Sequence, residues 1–326
     1  MILAGDIGGT KTVVTLFERV DGALRSARTE VYSSADHGGL EEILDAFLAG
    51  EKQAPEAVGF GVAGPVIADR AILTNLPWPD LEAGALAAHL GVSDTLLLND
   101  LQAAAYGMLV LPEADTLQLN PGVKADRRAN MAVVAAGTGL GEALLVWDGA
   151  RHLAVATEGG HGDFAPRSDD EIALLGFLRK EFGRVSYERI LAGPGLHNVY
   201  RFERSRSEPE PAWLSERMRR EDPAAVVSEL ALAGGDGACA RALELFVSVY
   251  GAEAGNLALK VLALGGVWIG GGIAPKILPA LQRGSFMESF KAKGRFRELL
   301  DRIPVRVATN PEAPILGAAH RAAGLI

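Results

Sequence analysis

The residues of this chain best suited to chemistry are a few carboxylates and three glycine-rich bends. Asp6 heads the run Asp6-Ile7-Gly8-Gly9-Thr10-Lys11-Thr12, in which a glycine pair, a hydroxyl and an ammonium meet where the chain must turn. Such a bend turns backbone N–H groups toward a phosphate and leaves Asp6 facing a hydrated Mg²⁺. The same residues also satisfy a plain tight hairpin. The run is not a Walker A loop, which needs Gly-Lys-Ser/Thr after four intervening residues. Gly137-Thr138-Gly139-Leu140-Gly141-Glu142 does not complete G-x-G-x-x-G, because its sixth residue is Glu142. A third bend, Gly270-Gly271-Gly272, follows the apolar Val267-Trp268-Ile269 and lets backbone approach a planar or phosphorylated ligand closely.

Polar side chains form a second group. Asn99-Asp100 joins an apolar strand, Thr95 to Leu98, to a helix starting near Leu101, and that junction is where α/β proteins place ligands. Asp100 can equally serve there as a helix cap, worth about 1 kcal/mol. Glu158 and His161 stand three apart, a spacing open to metal ligation or to structural hydrogen bonding, yet no further Cys or His cluster completes a metal set. Glu188 opens a segment of helical pattern, where a carboxylate favours the helix dipole by about 0.3 to 1 kcal/mol.

The elements that must position these residues include one supersecondary unit met twice. Strand Ile2 to Ile7, glycine loop, strand Thr12 to Phe17, turn Asp21-Gly22-Ala23 and strand Ala27 to Tyr32 recur as Met131 to Ala135, glycine loop, Ala143 to Trp147, Asp148-Gly149-Ala150 and His152 to Thr157. Between the copies, the pattern predicts a helix over Gly39 to Leu48, strands over Ala57 to Val62 and Ala71 to Leu73, and a helix over Leu81 to Leu90. Pro112, Asn120, Pro121 and Gly122 break the periodicity between Leu111 and Arg128. After Thr157 the chain reads as mostly helical. A helix is expected over Pro275 to Leu281, and strands over Val267 to Ile269 and Val305 to Ala308. The charged, proline-bearing stretch Arg201 to Pro223 is expected to be exposed. A last alanine-rich helix, Pro314 to Ala323, is expected to return to the first domain to bury its apolar face.

At 326 residues the chain exceeds one hydrophobic core, so two domains with a cleft for a small ligand are expected. The division predicted is 1-111 plus 312-326 for a small α/β domain and 112-311 for a large one. With 48% hydrophobic residues, 22% charged residues and 39 glycines, it is an ordinary globular sequence with many turns. A net charge of −9 without Lys/Arg runs points away from nucleic acid and from an anionic membrane surface. The lone Cys239 excludes an internal disulfide and a multi-cysteine zinc site, which fits a reducing, cytoplasmic setting. No basic region or long apolar run suggests a secretory signal in the opening residues. The most apolar stretch, Leu257 to Ala274, is broken by Lys260 and five glycines and reads as a core helix, a strand and a turn.

In this order the three glycine loops resemble the two phosphate motifs and the adenosine motif of the actin-like, hexokinase and Hsp70 ATPase superfamily, and the resemblance covers most of the chain. It becomes closer with Leu98-Asn99-Asp100-Leu101-Gln102-Ala103-Ala104-Ala105-Tyr106-Gly107, Glu158-Gly159-Gly160-His161-Gly162-Asp163-Phe164 and Glu188-Arg189-Ile190-Leu191-Ala192-Gly193-Pro194-Gly195-Leu196. These look like bacterial glucokinases of the group that lacks the zinc-binding cysteine motif.

The resemblance implies two actin-like, ribonuclease H-like α/β domains with a cleft between them, the second larger and more helical. It implies ATP with Mg²⁺ held by Asp6, Gly8, Gly9, Thr10, Lys11, Gly137, Thr138, Gly139, Gly271 and Gly272. Glucose is then bound by Asn75, Asn99, Asp100, Glu158, His161 and Glu188, and Asp100 acts as general base toward the 6-hydroxyl. A sugar is uncharged and rich in hydroxyls, so a converging set of amides and carboxylates suits it. The resemblance further implies a cytoplasmic homodimer. A kinase for another hexose is the neighbouring alternative. A non-catalytic sugar sensor on the same fold is the remoter one, for which the chain shows no DNA-binding module ahead of its first loop.

Overall fold

Ile2-Leu3-Ala4-Gly5-Asp6-Ile7 is apolar at nearly every position, the pattern of a strand covered on both faces, and only Asp6 in it is not fully buried. In the computed structural model, which describes residues 1–51, 53–73 and 76–326, this segment is the central strand of a five-stranded sheet. Two compact units are present: Met1–Pro112 with Ala154–Ala156 and Asn310–Ile326, and Glu113–Leu153 with Thr157–Thr309.

In the first unit β1 (Ile2–Ile7) turns into β2 (Lys11–Val20), and β2 turns at Asp21-Gly22 into β3 (Ala23–Ser33). Asp21 and Gly22 have φ of 53° and 81°, the left-handed pair that a two-residue hairpin loop requires and that Asp-Gly tolerates. Helix α1 (Leu40–Leu48) leads to β4 (Ala57–Val62), the short strands β5 (Val66–Ile67), β6 (Arg70–Ala71) and β7 (Leu81–Glu82), helix α2 (Ala83–Leu90), β8 (Leu96–Asn99) and α3 (Asp100–Val110). The sheet order is β3-β2-β1-β4-β8, with β1, β4 and β8 parallel. The helix expected over Leu81 to Leu90 gives up its first two residues to β7, because Leu81 and Glu82 pair with Ala71 and Arg70. The C-terminal helix Ala313–Ala322 packs on α3, β4 and β1 of this unit, as its alanine-rich face requires. The contact is close: Gly59, Gly107 and Gly317 each lie against backbone, of Ala318, Ala313 and Ala103 respectively.

The second unit repeats the plan. After β9 (Thr116–Gln118), β10 (Met131–Ala136) and β11 (Leu140–Trp147) form an antiparallel pair, and β12 (His152–Thr157) completes the β12-β11-β10-β13-β14-β9 sheet with β13 (Gly266–Gly270) and β14 (Val305–Ala308). Here β10, β13 and β14 are parallel, just as β1, β4 and β8 are. The internal repeat read from the sequence is therefore a repeat of topology.

Helices α4 (Asp169–Phe182), α5 (Gly193–Ser205), α6 (Ala212–Arg220), α7 (Pro223–Ala233) and α8 (Gly237–Val261) build the rest of the core around Tyr200, Phe246 and Tyr250. The segment Pro275 to Leu281 is a turn through Ile277 and becomes helical only over Leu278–Leu281.

The charged stretch Arg201 to Pro223 is exposed or half-buried, as expected, except for the buried Phe202, Glu203 and Leu214. It runs through the end of α5 and all of α6, and Phe202 and Leu214 are core residues. Arg204 and Asp236 form an ion pair at 2.6 Å with side chains only 13% and 10% exposed. Charge density hid a helical period that buries one face. No helix among the described residues is long and apolar enough to cross a membrane.

Candidate active site

Three parallel strands carry the first group of candidate residues to one edge of their sheet. Ile7 pairs with Val62 and Val62 with Asn99, so the carboxyl ends of β1, β4 and β8 lie side by side. Asp6 stands at the end of β1 and Asp100 is the first residue of α3. Gly61 of β4 has its missing side-chain position against Ala103 and Asp100, so the strand and the start of α3 approach closely there. Burial pushes the Asp6 carboxyl up to about 6; the negative charge of Asp100 adds to this, and Lys11 opposes it. Two carboxylates and one ammonium thus share a field. The two carboxylates are hard oxygen donors of the kind that suits a partly hydrated Mg²⁺. Among the described residues no group of three or more His, Cys, Asp or Glu could hold a metal ion by itself.

The Gly8-Gly9-Thr10 bend is closed by Gly8 N–H donating to Lys11 O at 3.0 Å. Ser34 braces it from the side: its hydroxyl donates to Gly8 O at 2.8 Å and lies 3.0 Å from the Thr12 hydroxyl, while its N–H donates to Thr10 O at 3.1 Å. Ser34 went unnoticed in the sequence, where nothing local marks it.

Asn99, and not Asp100, caps α3. Its Oδ1 accepts from Leu101 N–H at 3.0 Å, and Gln102 Oε1 accepts from Asn99 N–H at 3.2 Å, a reciprocal capping box. Asn99 Nδ2 also donates to Gly64 O at 3.0 Å. The cap that Asp100 could equally form falls one residue earlier, because β8 keeps Asn99 extended. Asn99 Oδ1 also accepts from the backbone N–H of Gln102 in the box, so Asn99 keeps one Nδ2 N–H beyond these bonds.

The sign of the Asp6 shift makes a prediction. Its folded-state affinity for a proton exceeds the unfolded one, so stability it contributes is present below about pH 4 and is lost as pH rises through about 6. Asp6→Asn should therefore raise the unfolding free energy of the ligand-free protein at pH 8 by on the order of 1 to 2 kcal/mol, with little change at pH 4. Denaturant unfolding at the two pH values checks it; a uniform change would locate the effect elsewhere.

In the second unit the loops after β10 and β13 leave neighbouring strands. Gly137 N–H donates to Gly139 O at 2.8 Å, and Gly137 O accepts from Gly193 N–H at 2.8 Å. Gly271 has φ of 80° and presses on the backbone of Ala136, so a side chain there is excluded on both counts. Thr138 lies between Gly137 and Gly139 in this bend, and Gly272 follows Gly271 with open space at its Cα.

Glu158, His161 and Glu188 come together in this unit. His161 Nε2 is 3.9 Å from Glu158 Oε2, and its Nδ1 is 3.8 Å from Glu188 Oε1. Glu188 lies in a single 3₁₀ turn, Tyr187–Arg189, not at the mouth of a helix; α5 begins only at Gly193. Its Oε2 accepts from Leu140 N–H at 3.1 Å, and Gly139 has no side chain to obstruct it. The two carrying segments are zipped together by Tyr187 N–H to Gly162 O and Phe164 N–H to Val185 O, each at 3.0 Å. Arg184, absent from the sequence reading, donates to His161 O and Asp163 Oδ1 at 2.8 Å and fixes the same turn. Asn75 lies outside the described residues.

The chain matches the family model described as Glucokinase over residues 3–325. A curated relative, the glucokinase of Trichormus variabilis, is 41% identical over 342 aligned positions, covering 100% of this chain and 99% of that protein. The crystal structure of a glucokinase from an Antarctic psychrotroph superposes with a TM-score of 0.89 at 31% identity, covering 99% of this chain and 98% of that one. A ROK family glucokinase from Streptomyces griseus, solved in complex with glucose and AMPPNP, shares the fold at a TM-score of 0.64 and 23% identity, over 99% of each chain. With its repeated α/β units, this chain has the actin-like ATPase fold and belongs to the glucokinase family.

Proposed function

We propose that the chain transfers the γ-phosphoryl group of ATP to the 6-hydroxyl of D-glucose, releasing glucose 6-phosphate and ADP. The observation that carries this reading is the company of Asp100 in a chain whose curated relatives bear the name glucokinase over their whole length. It stands beside Asp6, whose charge Lys11 opposes, at the carboxyl ends of adjacent parallel strands.

Asp100 takes the proton of the attacking hydroxyl, and Asn99, held by its cap and by Gly64, offers its remaining N–H to a neighbouring hydroxyl. Glu158, His161 and Glu188 accept from and donate to the other hydroxyls of the ring. Backbone N–H groups of the Gly8-Gly9-Thr10 and Gly137-Thr138-Gly139 bends and the Lys11 ammonium take the phosphate oxygens, and the Gly271-Gly272 turn admits the nucleoside. Asp6 would hold Mg²⁺, which when bound would supply charge neutralisation to the phosphate oxygens. Phosphoryl transfer asks little covalent chemistry of a protein, so positioning and proton acceptance account for the residues present.

Incubation with Mg-ATP and a panel of hexoses tests this: glucose should give the highest kcat/KM, followed by mannose, fructose and N-acetylated amino sugars. Absence of ADP release with every hexose would sink the reading, and a higher kcat/KM for another sugar would reassign the substrate within it. By family likeness the protein acts as a cytoplasmic homodimer in glycolysis. Light scattering on a sizing column at micromolar concentration should return twice the chain mass.

A further inference from the structure

Glu142 is a carboxylate for which neither the nucleotide loops nor the sugar contacts have a use. It lies in β11, two residues from Leu140, and is only 1% exposed. No described group donates a hydrogen bond to either of its oxygens. A buried carboxyl of this kind is costly to place in apolar surroundings, so its position calls for a role.

Its contacts supply one. Gly159 packs its Cα directly on the Glu142 carboxyl, where a side chain at 159 would displace the carboxyl, and Gly160 packs on the Leu140 backbone, where no side chain fits. Thr157 Oγ1 donates to Glu142 O at 2.8 Å and accepts from Gly159 N–H at 3.1 Å. Main chain and side chain of one residue thus form the bed under the turn Gly159–His161. We infer that Glu142 is a positioning residue for sugar recognition: it holds the Gly159-Gly160 turn that sets Glu158 and His161 in place. The inference rests on the reading of Glu158 and His161 as sugar ligands.

The carboxyl meets charge from one side only. Helix α8 contributes Glu253, itself 1% exposed and accepting from Asn256 Nδ2 at 2.7 Å and Lys260 Nζ at 3.3 Å, and it contributes Lys260 and the Tyr250 hydroxyl. Thr157, Gly159 and the opposing Val134 of β10 are uncharged. Burial pushes the Glu142 carboxyl up to about 7; Glu253 adds to this and Lys260 opposes it. Below that pH the group is neutral and rests against Gly159. Above it, the ionised carboxylate has no described hydrogen-bond donor in its buried place and is drawn toward water, so the turn it supports loosens.

The KM for glucose should therefore rise about tenfold between pH 6 and pH 8, as binding that needs the protonated form requires, while kcat follows a different profile. Glu142→Gln, which mimics the neutral acid, should keep the pH 6 value of KM and abolish that rise. Glu253→Gln removes the opposing charge, so the rise should begin at lower pH. A Glu142→Gln protein whose KM climbs with pH as the parent's does would overturn the inference, as would a Glu253→Gln profile that does not move. His161→Ala separates this from the underlying reading. A KM raised tenfold or more in His161→Ala with a parent-like Glu142→Gln profile defeats the positioning role alone. An unchanged KM in His161→Ala defeats both.

Discussion

Asp100→Asn should lower kcat by on the order of 10² to 10⁴ while leaving the affinity for glucose within a few fold. The substitution changes little except proton acceptance. An amide oxygen can still accept from Leu101 N–H, as Asp100 Oδ1 does at 2.8 Å. The start of α3 does not depend on it, because Asn99 and Gln102 supply the cap. What disappears is the group that takes the proton as the hydroxyl attacks, so the loss should fall on kcat and not on KM. A second signature follows from the neighbour. The charge of Asp100 helps hold the Asp6 carboxyl up near 6, so in Asp100→Asn the Asp6 titration should move to lower pH, visible in the pH dependence of stability. Steady-state kinetics with a coupled ADP assay measure the first effect; a kcat equal to the parent's removes Asp100 from the role.

Much of the scaffold was legible because local chemistry and global fold agree. Strand β4 and strand β12 have the bounds that alternation and apolar runs predicted, Ala57–Val62 and His152–Thr157. The hairpin at Asp21-Gly22 is set by residues that accept positive φ, and Gly149 in the second copy has φ of 104° for the same reason. What could not be read depends on residues distant in sequence. Two cap-forming residues stand in a row at Asn99-Asp100, and composition alone does not choose between them; pairing of Asn99 with Val62 keeps it extended and decides the matter. Glu188 was placed at a helix mouth although Pro194 marks the first turn of α5, a signal that was present and outweighed by helical pattern. Glu142 enters the sequence reading only as the residue that breaks G-x-G-x-x-G; its burial depends on α8, far along the chain. In Arg201 to Pro223, charge density was read as exposure where the helical period still buried Phe202 and Leu214. Composition reports on averages, and burial is decided one side chain at a time.

The seam between α3 and the C-terminal helix Ala313–Ala322 yields a prediction of similar size in stability. Two effects compete when Gly107 becomes alanine. In an open helix the change is favourable by about 0.5 to 1 kcal/mol, because alanine loses less backbone freedom. At Gly107, however, the new methyl would fall on the backbone of Ala313, and across the seam Gly317 already rests on Ala103 O and Gly107 N. These are main-chain atoms, which no rotamer change can move aside, and the neighbouring Ala103, Ala105, Ala318 and Ala319 are fully buried. Overpacking at such a place costs about 1 to 3 kcal/mol and at times more, so it outweighs the propensity gain. Gly107→Ala should therefore destabilise by about 2 kcal/mol, and Gly107→Val by about 3 to 5. Gly84 in α2 has nothing within 4 Å of its missing side chain, so Gly84→Ala should stabilise by about 0.5 to 1 kcal/mol and serves as the control of opposite sign. The effect should also reach chemistry. Asp100 begins α3 one end away from Gly107 on the same rigid helix, so prising the seam apart shifts the carboxylate. A misplacement of about 1 Å costs catalysis on the order of 10²-fold. Thermal unfolding together with kcat measured well below the transition checks both parts: a stable, fully active Gly107→Val protein would show that the two helices are not held in the backbone contact that fixes Asp100.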